Sequence, residues 1–493
     1  MSAVRGRPNR RRGGHSRNNL QATRRDRVQQ REGNQEMFTS KRRLLKMIVS
    51  TTQSLESAVT KSFRDFVMAQ NSSLPNKSVI RSELVRVYNE KRNELQSTFA
   101  SADDIVLTCE SWSHRAEDSL LTVGCHFVDN LGNLKSYLLE TKGLIEDESA
   151  AIQKQLSAVM EAWGLKGKVH CVVRAGLPQL KGVKTKWTDM PCFADTLNVM
   201  FKDLMSQDEL SDVFRKCRDI VRFFKFDSEA EERLREIQKK LEMEQVELIL
   251  PCGDRWLLWL DMLEGLILQH EAIGMVLVRK NTKNLILDET ESEKIQNIIS
   301  ALKPLKKATS LMKGEGFQSI SGMLPLLKTI MDDLQTEKKK GNNVAKILHS
   351  KCQKEFGDIN KHRLALMTFL DPRYKDKLGE QNKKNAIKEL KQELNAARTS
   401  CSAAQLEALL DKYINYKPTS EDSNPFAWWR NTGKTKFDEL SRLALKKLGI
   451  VSTAVPLESA FSSAGVQFCN NRSSIEPENL NMILFLHSNW PDM

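Results

Sequence analysis

Residues 443–490 read LALKKLGIVSTAVPLESAFSSAGVQFCNNRSSIEPENLNMILFLHSNW, and the interpretation of the whole chain depends on this stretch. It consists of two apolar segments with helical spacing, joined by a loop of small residues. The second segment, residues 475–490, is apolar nearly all round, which a helix at the surface of a globular protein would not be. We expect this helix to pack on Phe437, Leu440 and Leu448 of its own chain and to complete a homodimer interface across a two-fold axis. The residues assigned to that interface are Leu480, Ile483, Leu484, Phe485 and Leu486.

The positive charge of the chain is concentrated at one end. The 493 residues contain 76 Lys and Arg against 63 Asp and Glu, a net charge of +13. Residues 1–43 hold thirteen of the basic residues and three acidic ones, a net charge of +10, so the other 450 residues carry only +3. The basicity therefore belongs to a tail, and a nearly neutral body argues against nucleic-acid binding over the whole surface.

The tail, residues 1–37, has too few large apolar residues to offset the entropy of an ordered chain, so we predict that it is disordered. Residues 5–8, Arg-Gly-Arg-Pro, resemble the core of an AT-hook, which lies in the minor groove of A·T-rich DNA. The alternative is a generic polycation that binds any polyanion by counterion release. The basic runs at 9–12 and 41–43 suit a nuclear import receptor and predict a nuclear protein. The candidate DNA-binding residues of the tail are Arg5, Arg7, Arg10, Arg11 and Arg12.

Cysteine usage and hydropathy exclude several classes of protein. The nine cysteines include no pair at the spacing of a zinc knuckle, so we predict neither a metal site nor a cofactor. An odd count without a signal peptide indicates reduced thiols in a cytosolic or nuclear setting. No uncharged apolar run approaches the roughly 20 residues of a membrane span.

Changes in periodicity predict α/β structure followed by all-α structure. Short apolar segments at 104–113, 119–128 and 134–139 predict an antiparallel meander, followed by a helix at 148–163, a strand at 168–174 and a helix at 192–205. Three strands, a helix, a strand and a helix are the element order of an RNase H-like core. The predicted regions are a disordered tail (1–37), a helical lead-in (38–100), the RNase H-like core (101–210), an all-helical insertion (211–420), and the end of the core with the dimerisation segment (421–493).

Several short motifs occur in one order along the chain. They are Glu110-Ser111-Trp112, Arg174-Ala175-Gly176, Cys192-Phe193-Ala194-Asp195, Arg255-Trp256, Leu370-Asp371-Pro372-Arg373-Tyr374-Lys375 and Glu458-Ser459-Ala460-Phe461-Ser462. Each is weak alone, but together and at this spacing they resemble the hAT superfamily of transposases over roughly residues 57–490. The resemblance is to the animal members with a BED-type zinc finger, although no such finger is spelled out in these residues.

The resemblance implies a three-carboxylate site for two divalent ions, at positions Glu110, Ala175 and Glu458. Alanine offers no oxygen ligand, and the neighbouring Arg174 would oppose a cation. We therefore expect a degenerate, inactive site in which Glu110 and Glu458 have structural roles. Asp189 and Asp195 are the only nearby substitutes for the missing ligand, and neither is expected at the strand end where it is needed.

The resemblance also implies DNA contacts by Trp112, Arg255 and Trp256, because aromatic rings stack on unpaired bases. The alternative for both tryptophans is a place in the core, which the apolar residues on several sides of Trp256 favour. The sequence thus predicts an inactive, transposase-derived nuclear protein that forms a homodimer and binds DNA or chromatin through its tail. The alternatives are an active metal-dependent DNA transferase or nuclease, and a protein-interaction scaffold with no role on DNA.

Overall fold

The computed structural model describes residues 41–56, 60, 63, 75–113, 119–144, 146, 148–251, 256–313, 319–357, 361–396, 403–454 and 475–490. The tail with its five candidate arginines, Arg255 and Glu458 lie outside the described residues. The chain forms two compact units. The first comprises residues 1–91 with 474–493, and the second comprises residues 92–473.

A five-stranded sheet in the order β3-β2-β1-β4-β5 lies in the second unit. Its strands are β1 (Ile105–Ser113), β2 (Ser119–Val128), β3 (Leu134–Gly143), β4 (Val169–Ala175) and β5 (Thr188–Pro191). The first three form an antiparallel meander, and β4 and β5 add to β1 in parallel. The four predicted strands are confirmed, but β5 was missed. It has four residues, Thr-Asp-Met-Pro, which is too short to show a period.

The inner strands are apolar because both faces of the sheet are covered. β2 is buried at seven consecutive positions, rather than at alternate ones. A strand in that environment reads as a continuous apolar run, which is how the segment 119–128 reads in the sequence.

Helices make up most of the rest of the described chain. Residues 41–50 are helical. The longer helices that follow are α1 (Lys77–Ala100), α2 (Ser149–Ala162), α3 (Phe193–Met205), α4 (Asp208–Phe226), α5 (Ser228–Lys240), α6 (Trp256–Leu268), α7 (His270–Arg279), α8 (Glu289–Lys313), α9 (Met323–Lys339), α10 (Asn343–Gly357), α11 (Lys361–Leu370), α12 (Glu380–Ala396), α13 (Ala403–Ile414), α14 (Asp438–Leu448) and α15 (Pro477–Asn489). No described helix is both long and apolar enough to cross a membrane. The predicted boundaries between regions remain predictions.

One hydrophobic cluster joins the sheet to the helices that follow it. It begins at Val106 on β1 and Val173 on β4 and continues through α3 to α10. Each of these helices contributes fully or nearly fully buried side chains, among them Leu197, Val213, Ile237, Leu260, Ile273, Ile298, Leu327 and Leu348. The α/β and helical parts of the second unit therefore share a continuous core.

A second cluster is formed by α11 to α14 and is rich in aromatic rings. Tyr413 lies at its centre, with ring centroids of Phe369, Trp429 and Phe437 within 5.3–5.5 Å. Packed rings of this kind contribute about 0.5–1.5 kcal/mol per pair beyond their buried area.

The motif at residues 370–375 supplies the polar interior beside this cluster. Asp371 and Arg373 form an ion pair in which the side chains are 0% and 2% exposed. Ser321 donates a hydrogen bond to Asp371 at 2.6 Å. The Lys375 ammonium, also buried, donates to the carbonyl oxygens of Tyr413 (3.0 Å) and Ile414 (2.9 Å). These contacts tie the turn after α11 to α13 and to the short turn before α9.

A buried histidine in the sheet makes stability depend on pH. His126 on β2 is 1% exposed, and its ring nitrogens meet Thr108 Oγ1 at 3.1 Å and Ser136 Oγ at 2.8 Å. Burial lowers the pKa of His126 to about 3, so the folded chain keeps the ring neutral where the unfolded chain, with an ordinary pKa of about 6.5, binds a proton.

We expect the free energy of unfolding to be unaffected by this group above pH 6.5 and to fall as the pH drops below it. The loss is about 2 kcal/mol at pH 5, because the unfolded state takes up the extra proton. Urea unfolding of wild type and His126→Gln at pH 7 and pH 5 measures it. The difference between the two pH values should be about 2 kcal/mol smaller in the variant. Equal pH dependence in both proteins would contradict the assignment.

Candidate functional site

Two of the three predicted carboxylate positions lie side by side. Glu110 on β1 and Ala175 on β4 are direct partners in the parallel register of these strands. Glu110 is half-buried, and Ala175 is 2% exposed. The pairing brings together residues that are far apart in sequence at the carboxyl ends of two parallel strands, where open α/β sheets bind their ligands.

The acidic side chains near Ala175 are already engaged. The Arg174 guanidinium donates from Nε to both carboxylate oxygens of Asp189, at 2.9 and 3.0 Å. Asp195 accepts a hydrogen bond from the backbone N–H of Gly176 at 2.9 Å. Burial raises the pKa of both carboxyl groups, and Arg174 opposes that rise. Both carboxylates are thus bonded within the protein, and the expectation that neither replaces the missing ligand stays a prediction.

The turn after β4 admits only glycine. Gly176 has φ +64, and a Cβ atom there would lie 2.6 Å from the carbonyl oxygen of Ser111 on β1. The backbone of β4 thus approaches the end of β1 closely as it leaves the sheet. This close approach follows directly on the pairing of Ala175 with Glu110.

The described part of this site does not form a metal centre. Within the residues that the structure describes, no group of three or more His, Cys, Asp or Glu is arranged to hold a metal ion. Cys192, at the position before α3, is buried, and its sulfur accepts from the Ala454 backbone N–H at 3.3 Å. Cys192 and Asp195 are the first and last residues of the motif Cys192-Phe193-Ala194-Asp195, and both make contacts within the protein.

The two predicted DNA-contacting tryptophans lie in different environments. Trp112 at the end of β1 is half-buried, and its indole N–H donates to Thr122 Oγ1 at 2.8 Å. Trp256 at the start of α6 is 3% exposed and belongs to the helical core. A ring covered to this extent offers no free face to a base, so Trp256 is placed as a core aromatic.

The C-terminal helix α15 is buried within the first unit. Ile483, Leu484, Phe485 and Leu486 are 0% exposed and Leu480 is 3% exposed in a single chain. The Phe485 ring packs edge-on against Tyr88 of α1, with centroids 4.8 Å apart. Burial in its own chain is therefore confirmed, but the predicted neighbours Phe437, Leu440 and Leu448 belong to the second hydrophobic cluster, which contains no described residue of α15. Side chains already covered cannot bury further surface against a partner, so an interface formed by this helix would use its exposed positions, such as Glu478 and Ser488.

The end of α15 and Trp490, the residue after it, contact the helix that contains one of the two predicted import signals. Arg42 and Lys46, from the helix at residues 41–50, both lie over the Trp490 ring, at 5.6 and 5.4 Å from its centroid. His487 meets the Val49 carbonyl oxygen at 3.0 Å. The run 41–43 is thus the first turn of a packed helix, and an import receptor would meet it in that form.

One basic segment was missed by the sequence interpretation. Lys181, Lys184 and Lys186 are exposed on the loop between β4 and β5 and line an open cleft of about 1090 Å³. Three lysines within six residues after a Gly-Pro turn would have been the available signal. The net charge of the body concealed it, because acidic residues elsewhere cancel the sum.

Comparison with known proteins agrees with the motifs. Residues 405–490 match the hAT family C-terminal dimerisation region, and residues 190–301 match the ZBED1 RNase-like helical domain. Human zinc finger BED domain-containing protein 4 is 24% identical over 477 residues, which is 85% of this chain and 40% of that protein. The chain therefore spans less than half the length of this relative. The chain is homologous to a BED-type, hAT-derived protein, and it carries a hAT dimerisation region and a ZBED1-type RNase-like helical domain.

Proposed function

We propose that this chain is a catalytically inactive, transposase-derived nuclear protein that self-associates and binds DNA or chromatin through its basic tail. The observation that carries the proposal is the pairing of Glu110 with Ala175 at the carboxyl ends of β1 and β4. A second carboxylate is needed there to hold two divalent ions, and a methyl group supplies no ligand.

An RNase H-like core is supported by the topology of the sheet. An antiparallel meander, β1 to β3, is extended in parallel by β4, with α2 between β3 and β4. In such a core the carboxylates of β1 and β4 would share the ions. The nearby Asp189 does not supply the missing carboxylate, because it forms an ion pair with Arg174.

Self-association is supported by the match of residues 405–490 to a dimerisation region. Nuclear location and a role on DNA are supported by the BED-type relative and by the basic tail. Two tails in one dimer would raise avidity, because the second binds from a high effective concentration.

Replacing the five tail arginines tests the DNA role. We expect Arg5, Arg7, Arg10, Arg11 and Arg12 changed together to Gln to weaken binding to a DNA duplex. The plot of the logarithm of the binding constant against the logarithm of the salt concentration has a negative slope. The magnitude of that slope should decrease by up to about 4.5, at about 0.9 for each lost phosphate contact. Fluorescence anisotropy of a labelled duplex at several salt concentrations measures the slope. A full chain that does not bind duplex even at low salt would leave only the scaffold function.

The same binding reactions, supplemented with Mg²⁺ or Mn²⁺, are expected to leave the DNA strands uncut. Denaturing gels report strand cleavage or joining directly. Robust cleavage that Glu458→Gln abolishes would overturn the proposal and favour the active enzyme. The Ala175→Asp variant, assayed beside the wild type, tests whether a restored carboxylate at this position is enough for cleavage while Arg174 is retained.

A further inference from the structure

The cleft beyond the carboxyl ends of β4 and β5 concentrates positive charge in the second unit. Its lining contains six cations and three carboxylates, a net charge of +3 in a body whose total outside the tail is also only +3. His170 adds nothing at neutral pH, because burial and the nearby Lys446 lower its pKa to about 4. The charge of the cleft is therefore carried by lysine and arginine alone.

Most of these cations have no acidic partner. Arg174 is paired with Asp189, but the others form no ion pair with any residue that the structure describes. Those others are Lys181, Lys184 and Lys186 of the loop, Lys354 of α10 and Arg363 of α11. Five like charges facing one concavity repel each other and raise the local concentration of anions. The arrangement suits a ligand with several negative charges.

An aromatic ring lies among the lysines. Trp187 is half-buried in the cleft wall, and Thr185 Oγ1 donates to its carbonyl oxygen at 2.6 Å, which fixes the turn that carries the ring. A groove that combines cations with an aromatic platform is typical of proteins that bind single-stranded nucleic acid, where the cations follow the phosphates and the ring stacks on a base. An acidic peptide would use the charges but not the ring.

The ring in the cleft favours a single strand over a duplex. The bases of a duplex are stacked on one another and leave no free face for Trp187, whereas an unpaired base can stack on the ring. We propose that this cleft binds single-stranded nucleic acid, with Lys181, Lys184 and Lys186 on the phosphates and Trp187 against a base. This site is separate from the basic tail and does not depend on it.

The test uses the full chain in which the five tail arginines are already changed to Gln, so that the tail cannot mask the cleft. The probe is a labelled oligothymidylate of about 16 nucleotides, the upper site size of a single-strand-binding fold. Lys181→Gln, Lys184→Gln and Lys186→Gln are combined in one variant. The matched control combines Lys328→Gln, Lys339→Gln and Lys346→Gln, three exposed helical lysines outside the cleft with the same change in charge.

We expect the magnitude of the salt slope to be smaller by about 2 in the cleft variant, at about 0.7 per phosphate contact on a single strand. The control variant should keep the parent slope, and both should keep the parent melting temperature. Trp187→Ala should weaken binding about 5- to 150-fold, and Trp187→Phe should restore most of it, because stacking on one base is worth about 1–3 kcal/mol.

Five results would overturn the proposal, the last of them obtained with the tail variant alone. The first is an unchanged slope in the cleft variant, and the second is an equal loss in the control variant. The third is an equal loss of binding to the same strand in a duplex, which would make the ligand a duplex backbone. The fourth is full competition by polyglutamate, which would make it an acidic protein. If the tail variant no longer binds any nucleic acid, the cleft proposal is overturned and the tail proposal stands. If the tail variant binds duplex as well as the wild type does, the tail proposal is overturned and the cleft proposal stands.

Discussion

Asp371→Asn is expected to lower the free energy of unfolding by about 3–5 kcal/mol, because it removes the negative charge that Asp371 holds against the buried Arg373 guanidinium. The two side chains are 0% and 2% exposed, and Arg373 donates to both carboxylate oxygens, at 3.0 and 2.8 Å. The carboxylate also accepts from Ser321 at 2.6 Å, so the change disturbs the link to the turn before α9 as well.

Urea unfolding followed by circular dichroism measures this loss. Asp411→Asn is the matched control, since Asp411 is exposed on α13, the helix that carries Tyr413. A surface substitution of this kind should change the free energy of unfolding by no more than about 0.5 kcal/mol. A loss below about 1 kcal/mol in Asp371→Asn would mean that the ion pair is solvated and that the motif is not a buried structural junction.

Phe485→Ala in α15 is expected to destabilise the first unit by about 3–5 kcal/mol, the usual cost of removing a buried phenyl ring. Phe485 is 0% exposed and loses its edge-on contact with Tyr88. Hydrogen exchange of the amides in Pro477–Asn489 reports the loss locally, so unfolding of the other unit does not obscure it. Ser488→Ala, at an exposed position of the same helix, is the control.

The concentration dependence of this effect separates burial within one chain from burial at a dimer interface. If the ring is covered by its own chain, the loss is the same at every protein concentration. If a partner covers it, dilution of the wild-type protein alone exposes it, and its stability falls with concentration. Sedimentation of the wild type and of Phe485→Ala then measures self-association. We expect the variant to associate more weakly only because α15 is less stable in it.

Local pattern was sufficient for the elements with a strong period. The segments 104–113 and 119–128 are short and rich in apolar residues, and the structure has β1 and β2 there. The short β5 escaped because Thr-Asp-Met-Pro has no period, and it becomes a strand only by pairing with β4. For α15, apolar residues on every side required burial, but nothing in those residues indicated that Tyr88, almost four hundred residues earlier, would contact Phe485.

The candidate site shows the same division. That Ala175 and Arg174 supply no carboxylate is a matter of residue type and was evident from the sequence. That Ala175 faces Glu110, that Arg174 uses up Asp189, and that Trp256 is covered are consequences of strand register and packing. The basic cleft was not evident from the sequence either. Its unpaired cations come from the loop between β4 and β5 and from α10 and α11, which follow that loop by well over a hundred residues.

By itself, the sequence determined which segments are apolar enough to form strands and helices, which chemical groups are present, and therefore which ligands a metal site lacks. Only the tertiary structure decided which of those groups meet, because contacts between distant segments depend on register and on packing against a shared core. Charge follows the same rule. A net value of +3 is a property of the composition, but a cluster of unpaired cations around Trp187 exists only once the chain has folded.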